Sequence, residues 1–73
     1  MSMEEKLNAV VVNCLTVPMY TRPDLSSSYM CDITCLSNVY AEEIGSKKFY
    51  RIILHDGLTG YCEKKYIAVR QEE

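Results

Sequence analysis

Asp56-Gly57 stands between two β-rich runs, residues 49–54 and 59–62, and this arrangement constrains the chain more than any other feature. Asp-Gly suits the positive φ values of a type I′ hairpin turn, and β-type residues on both sides supply its two strands. Residues 49–54 form the strongest strand signal, with Tyr50, Ile52 and Leu54 on one face. A helical period is weak elsewhere. Residues 3–8 suit a single helical turn but are polar and few.

From Asn8 onward, short β segments alternate with turn residues. Strands are expected over residues 9–13, 29–33, 39–44 and 67–69. In the third of these, Val39, Ala41 and Glu43 share a side. Pro18 and Pro23 bracket an extended or irregular segment, because proline lacks an amide proton and biases its predecessor away from helix. Turns are expected at residues 24–28, at Ser37-Asn38 and at residues 45–48. Residues 63–66 suit one turn of tight helix. Five or six strands with such regular spacing predict an all-β fold, a small barrel or sandwich of antiparallel strands with one short 3-10 turn near the C-terminus. The domain is expected over residues 9–69, flanked by a polar segment at 1–8 and a frayed polar tail at 70–73.

Seventy-three residues make one domain with a small core. The apolar fraction of 48% is too high for a disordered chain. Net charge is −2, which argues against a general nucleic-acid binder, since that affinity rests on many Lys/Arg–phosphate contacts. The doublets Lys47-Lys48 and Lys64-Lys65 read as solvated turns. No segment resembles a secretory signal or reaches the roughly 20 apolar residues of a membrane span. A cytoplasmic protein with no membrane association is therefore expected, secreted only as a fragment or a phage-released product. Four cysteines, Cys14, Cys31, Cys35 and Cys62, read first as free thiols. Disulfides and a metal site are the alternatives, but zinc sites usually present two tight cysteine pairs and this chain has one loose one.

Three stretches carry a resemblance to a known family. Residues 17–23, Val-Pro-Met-Tyr-Thr-Arg-Pro, resemble a Leu-Asn-Val-Arg-Ser-x-Pro segment. Phe49-Tyr50-Arg51-Ile52 resembles Trp-Tyr-Lys-Val. Residues 56–62, Asp-Gly-Leu-Thr-Gly-Tyr-Cys, followed by Lys65-Tyr66-Ile67, resemble Asn-Gly-x-Thr-Gly-Trp-Val and Ser-x-Tyr-Leu. Together, in this order, they resemble the bacterial Src-homology-3-like domain, a five-to-six-stranded SH3-like barrel. The resemblance implies that residues 9–69 fold as such a barrel and that the chain is not an enzyme. Departures include Tyr20 for arginine, Arg22 for glycine, Phe49 and Tyr61 for two tryptophans, Ile53 at an outward polar position, and Leu36 for a turn glycine.

Cys31, Cys35 and His55 are the only nucleophile–base set, and no spacing brings His55 beside a thiol. Asp32 with these three could form a metal site only by convergence of distant segments. Neither a catalytic site nor a cofactor or metal is expected. The resemblance places a ligand groove between the first long loop and the loop before the Phe49 strand, with Tyr20, Arg22, Phe49 and Tyr66 near it. Aromatic rings with polar tips suit extended peptides. Tyr40, Ile53, Leu58 and Tyr61 could instead form an outer apolar patch for a homodimer. The expected function is a non-catalytic module binding a peptide or protein. Alternatives are cell-wall (peptidoglycan) targeting, common in the family, and a self-assembling structural subunit.

Overall fold

The computed structural model describes residues 7–70. Seven strands run along it: β1 (Leu7–Val11), β2 (Thr16–Tyr20), β3 (Tyr29–Thr34), β4 (Asn38–Glu43), β5 (Phe49–Ile53), β6 (Thr59–Glu63) and β7 (Ile67–Val69). A 3-10 turn, Lys64–Tyr66, separates the last two. No α-helix occurs among the described residues, and none of their helices is long and apolar enough to cross a membrane. All pairings are antiparallel, in one sheet of order β3-β2-β6-β5-β4-β1-β7. No ladder joins β7 to β3, so hydrogen bonding does not close the sheet into a barrel.

Strand alternation puts one set of side chains inside. Ala9 and Val11 from β1, Val17 and Met19 from β2, Ile33 from β3, Val39 and Ala41 from β4, Ile52 from β5, Cys62 from β6 and Ile67 from β7 meet in a single cluster. Every strand contributes, so the sheet must curl around its own inner face. Tyr50 and Leu54 pack against this cluster beside Ile52, as the period of two requires. Met19, Ile52, Val11 and Val17 are fully buried, each stabilising the fold by about 1.5–3 kcal/mol. The Cα radius of gyration, 11.4 Å, matches the about 11 Å of a compact chain this size.

Several local expectations are corrected. The count is seven strands rather than five or six, because residues 16–20 form a regular strand through Pro18. Pro18 faces Asp32, one place from the pairs Val17↔Ile33 and Met19↔Cys31. The Cys35 amide donates to the Leu15 carbonyl at 2.8 Å in the same register. Hydrogen-bonded pairs alternate, so Pro18 falls in a non-hydrogen-bonded pair, its nitrogen turned away from β3. On that other side β2 meets β6 only at Tyr20, so no ladder bond is lost.

The first strand begins at Leu7, so Leu7 and Asn8 belong to the sheet rather than to a polar lead segment. It ends before Asn13, whose φ of 63° turns the chain. The helical turn expected from residue 3 lies otherwise outside the described residues, as does the tail from residue 71. The turn expected at Ser37-Asn38 falls earlier: Ser37 N–H donates to Thr34 at 3.2 Å, and Leu36 has φ 68°. Positive φ at the third residue marks a type II turn, where glycine is usual. The Asp56-Gly57 hairpin is present, but as a three-residue loop. Gly57 has φ 97° and Asp56 does not share it. Gly57 N–H donates to Leu54, and Leu54 N–H to Leu58, at 2.9 and 2.8 Å. That is a type I turn followed by a left-handed glycine.

Candidate functional site

The outer face of the sheet carries Tyr20, Tyr40, Phe49 and Tyr61. Register places Glu42, Arg51, Tyr61 and Tyr20 in one row across β4, β5, β6 and β2. Tyr40, Ile53 and Thr59 form the row beside it. Phe49 lies two residues before Arg51 on the same face. Its ring meets Tyr20 edge-on, with centroids 6.3 Å apart. Arg51 links the row: its guanidinium lies over Tyr61, 5.8 Å from the ring centroid, and its Nη1 donates to Glu42 Oε1 at 3.0 Å. Glu42 is the one buried charged residue among those described, at 6% exposure, and this ion pair compensates its desolvation.

Two loops rise over Phe49. The β2–β3 loop is braced from within. Asp24 Oδ1 accepts the amide and the hydroxyl of Ser26, both at 2.9 Å, and Ser27 Oγ donates to the carbonyls of Arg22 and Asp24. These Ser26 donors, the amide first, hold the Asp24 carboxyl below its ordinary value. Asp24 N–H also closes onto the Arg22 carbonyl at 2.7 Å across Pro23. In the β4–β5 loop, Ser46 Oγ accepts the amides of Lys48 and Phe49. Between the loops lies a cavity of about 390 Å³ lined by Pro23, Asp24, Leu25, Ser46, Lys47, Lys48 and Phe49. Leu25 is 52% exposed on its wall, and Phe49, at 3%, forms the floor.

A second cavity of about 350 Å³ adjoins it through Lys47 and Lys48, with Glu63, Lys64 and Lys65 on its other side. The Lys64 amide donates to the Lys48 carbonyl at 2.7 Å and ties the two lysine doublets together. Lys64 Nζ pairs with Glu43 at 3.1 Å and sits over Tyr50. That hydrogen bond, with another from the Gly45 amide, holds the Glu43 carboxyl below its ordinary value.

Of the four groove residues expected from the sequence, the structure brings two together, Tyr20 and Phe49. Arg22 lines a neighbouring polar hollow with Thr21, Asp24 and Ser26–Ser28, which meets the first cavity at Asp24. Tyr66 packs its ring against the core beneath Lys65 Nζ and lines neither cavity. Reading the lysine doublets as turn markers missed their convergence. The equal distance of Lys48 and Lys64 from Asp56, at the hairpin turn, was the available signal. Of the proposed dimer patch, Tyr40 and Ile53 are directly opposed, Tyr61 lies on the same face, and Leu58 is 40% exposed in the adjoining turn.

All four cysteines are free. Cys31 Sγ lies 3.9 Å from Met19 Sδ, and Cys35 Sγ 3.7 Å from the Val11 carbonyl. Burial pushes the Cys62 thiol up to about 12 and also raises Cys14, which makes both poor nucleophiles. His55 is exposed and stacks against Tyr40 at 5.1 Å. Among the described residues, no group of three or more His, Cys, Asp or Glu side chains is placed to hold a metal ion.

Compared with protein-family models, curated proteins and solved structures, the chain matches none.

Proposed function

We propose that this chain is a non-catalytic binding module, built as a small SH3-like barrel, that takes an extended peptide segment of a protein partner in the groove over Phe49. One observation carries the reading: two self-braced loops flank a 390 Å³ cavity with an apolar floor and an exposed leucine on its wall. A preformed concave site with a few polar groups on its rim suits a ligand better than a scattered apolar surface does. Bracing of the β2–β3 loop by Asp24, Ser26 and Ser27 lowers the ordering cost of binding. Free cysteines suit a reducing, cytoplasmic setting.

A test is selection of phage-displayed random dodecapeptides on the full chain, with affinities then measured by fluorescence anisotropy. Leu25→Ser removes half-exposed apolar surface without touching the core. It is expected to weaken selected peptides about tenfold, the loss of about 1.4 kcal/mol of apolar contact. Failure to select any peptide, or equal affinity in the variant, counts against the groove.

Self-association is a second reading, favoured by the shared outer face of Tyr40, Ile53 and Tyr61. It predicts a dimer by light scattering that Ile53→Lys converts to monomer. Cell-wall targeting rests on the family resemblance alone, and co-sedimentation with purified peptidoglycan tests it.

A further inference from the structure

We propose that the groove selects acidic peptides, seating an apolar side chain between Pro23, Leu25 and Phe49 and its carboxylates over Lys47, Lys48 and Lys65. This rests on the groove reading above and adds the chemistry of the ligand.

The charge distribution makes the argument. The whole chain carries −2, yet the rim of the second cavity holds four lysines and one glutamate. Lysine pairs seventeen residues apart in the sequence converge there because the Lys64 amide is bonded to the Lys48 carbonyl. Lys64 is already neutralised by Glu43. Lys47, Lys48 and Lys65 are exposed and enter no ion pair among the described residues. Cations that line one cavity give it a positive potential, which attracts an incoming carboxylate. Lys47 and Lys48 line both cavities, so the cationic rim and the apolar pocket form one continuous surface.

A peptide fits this surface better than a nucleic acid. A peptide can carry carboxylates at one end and an apolar residue at the other. A nucleic-acid strand repeats its phosphate at every nucleotide, and such a strand crossing from the lysines into the first cavity would meet the acidic residue Asp24 in its lining. The negative net charge opposes it further.

The unbiased dodecapeptide selection provides the ligands. Selected sequences are expected to share Asp or Glu beside an apolar residue. The Lys47→Gln/Lys48→Gln double variant is expected to bind them about tenfold more weakly, and raising salt is expected to weaken the wild-type complex likewise. Replacing the peptide glutamates by glutamine should cost the wild type a similar factor and the double variant little. Neutral or basic ligands that ignore the double variant but are lost in Leu25→Ser would overturn the acidic preference and leave the groove standing. No selected peptide at all would overturn both. Tighter binding of a uridine dodecanucleotide than of the best peptide, abolished by the double variant, would overturn the peptide assignment.

Discussion

Replacing Leu36 by glycine should stabilise the fold relative to alanine at the same position, and the size of the gap follows from the turn. Leu36 holds φ at 68°, a conformation that costs an ordinary L-residue about 1–2 kcal/mol. Glycine escapes that cost but loses about 0.5–1 kcal/mol more backbone entropy on folding. The leucine side chain is 71% exposed, so truncation forfeits about 0.5 kcal/mol of the about 1.5–3 kcal/mol that full burial provides. Alanine loses the contact and keeps the strain. Glycine loses the contact and sheds the strain. Leu36→Gly should therefore lie about 0.5–1 kcal/mol above Leu36→Ala and near or above the wild type. For a domain of this size that separates the two melting temperatures by about 2–8 °C. Thermal unfolding followed by far-ultraviolet circular dichroism, with urea titration as a check, measures it. Equal stability of the two variants, or a more stable alanine, would refute the left-handed turn between β3 and β4.

Gly60→Ala should destabilise by about 1–3 kcal/mol through overpacking, since a Cβ there would lie 2.7 Å from Met19 Cγ and 2.9 Å from Met30 Sδ; urea midpoints of the variant decide it. Cys62 should react last of the four thiols with iodoacetamide at pH 8, because burial raises it to about 12. That raised value favours the folded state fully below the ordinary thiol value of 9.0. Wild-type stability should accordingly fall relative to Cys62→Ala as pH climbs from there toward 12, as read by urea unfolding. Glu43 is shifted the other way, below its ordinary 4.5. Its contribution is present above that pH and lost as pH falls through the lowered value. Lys64→Gln should move the Glu43 carboxyl titration, followed by NMR, back toward 4.5 and flatten that acid dependence.

Much of the sheet was legible because it depends on local signals. The Asp56-Gly57 turn, the alternation through Tyr50, Ile52 and Leu54, and the tight turn at Lys64–Tyr66 all depend on neighbours within a few residues. The type of the hairpin turn was not legible, since Asp-Gly serves both a two-residue and a three-residue loop. Strand β2 was obscured by Pro18, whose acceptability depends on which side of the strand faces a partner, a property of the ladder rather than of the residue. Phe49 breaks the expected pattern. It lies on the outer face and is nonetheless buried, because Tyr20 and the flanking loops cover it. The buried Glu42 was hidden for a similar reason, since its partner Arg51 meets it only through the β4–β5 register. The groove itself combines residues 23–25 with 46–49, segments brought together by a sheet order that pattern alone does not specify. Of the four residues that the resemblance placed near the groove, Phe49 lines the cavity between the loops, while Tyr20, Arg22 and Tyr66 do not.

Titration of the ¹⁵N-labelled chain with the best selected dodecapeptide tests the groove most directly. The largest amide shifts should fall on Asp24, Leu25, Ser46, Lys47, Lys48 and Phe49, lining the cavity between the loops. Shifts centred instead on Tyr40 and Ile53, or on the exposed end at Leu15 and Leu36, would contradict it, as would an unchanged spectrum at saturating peptide.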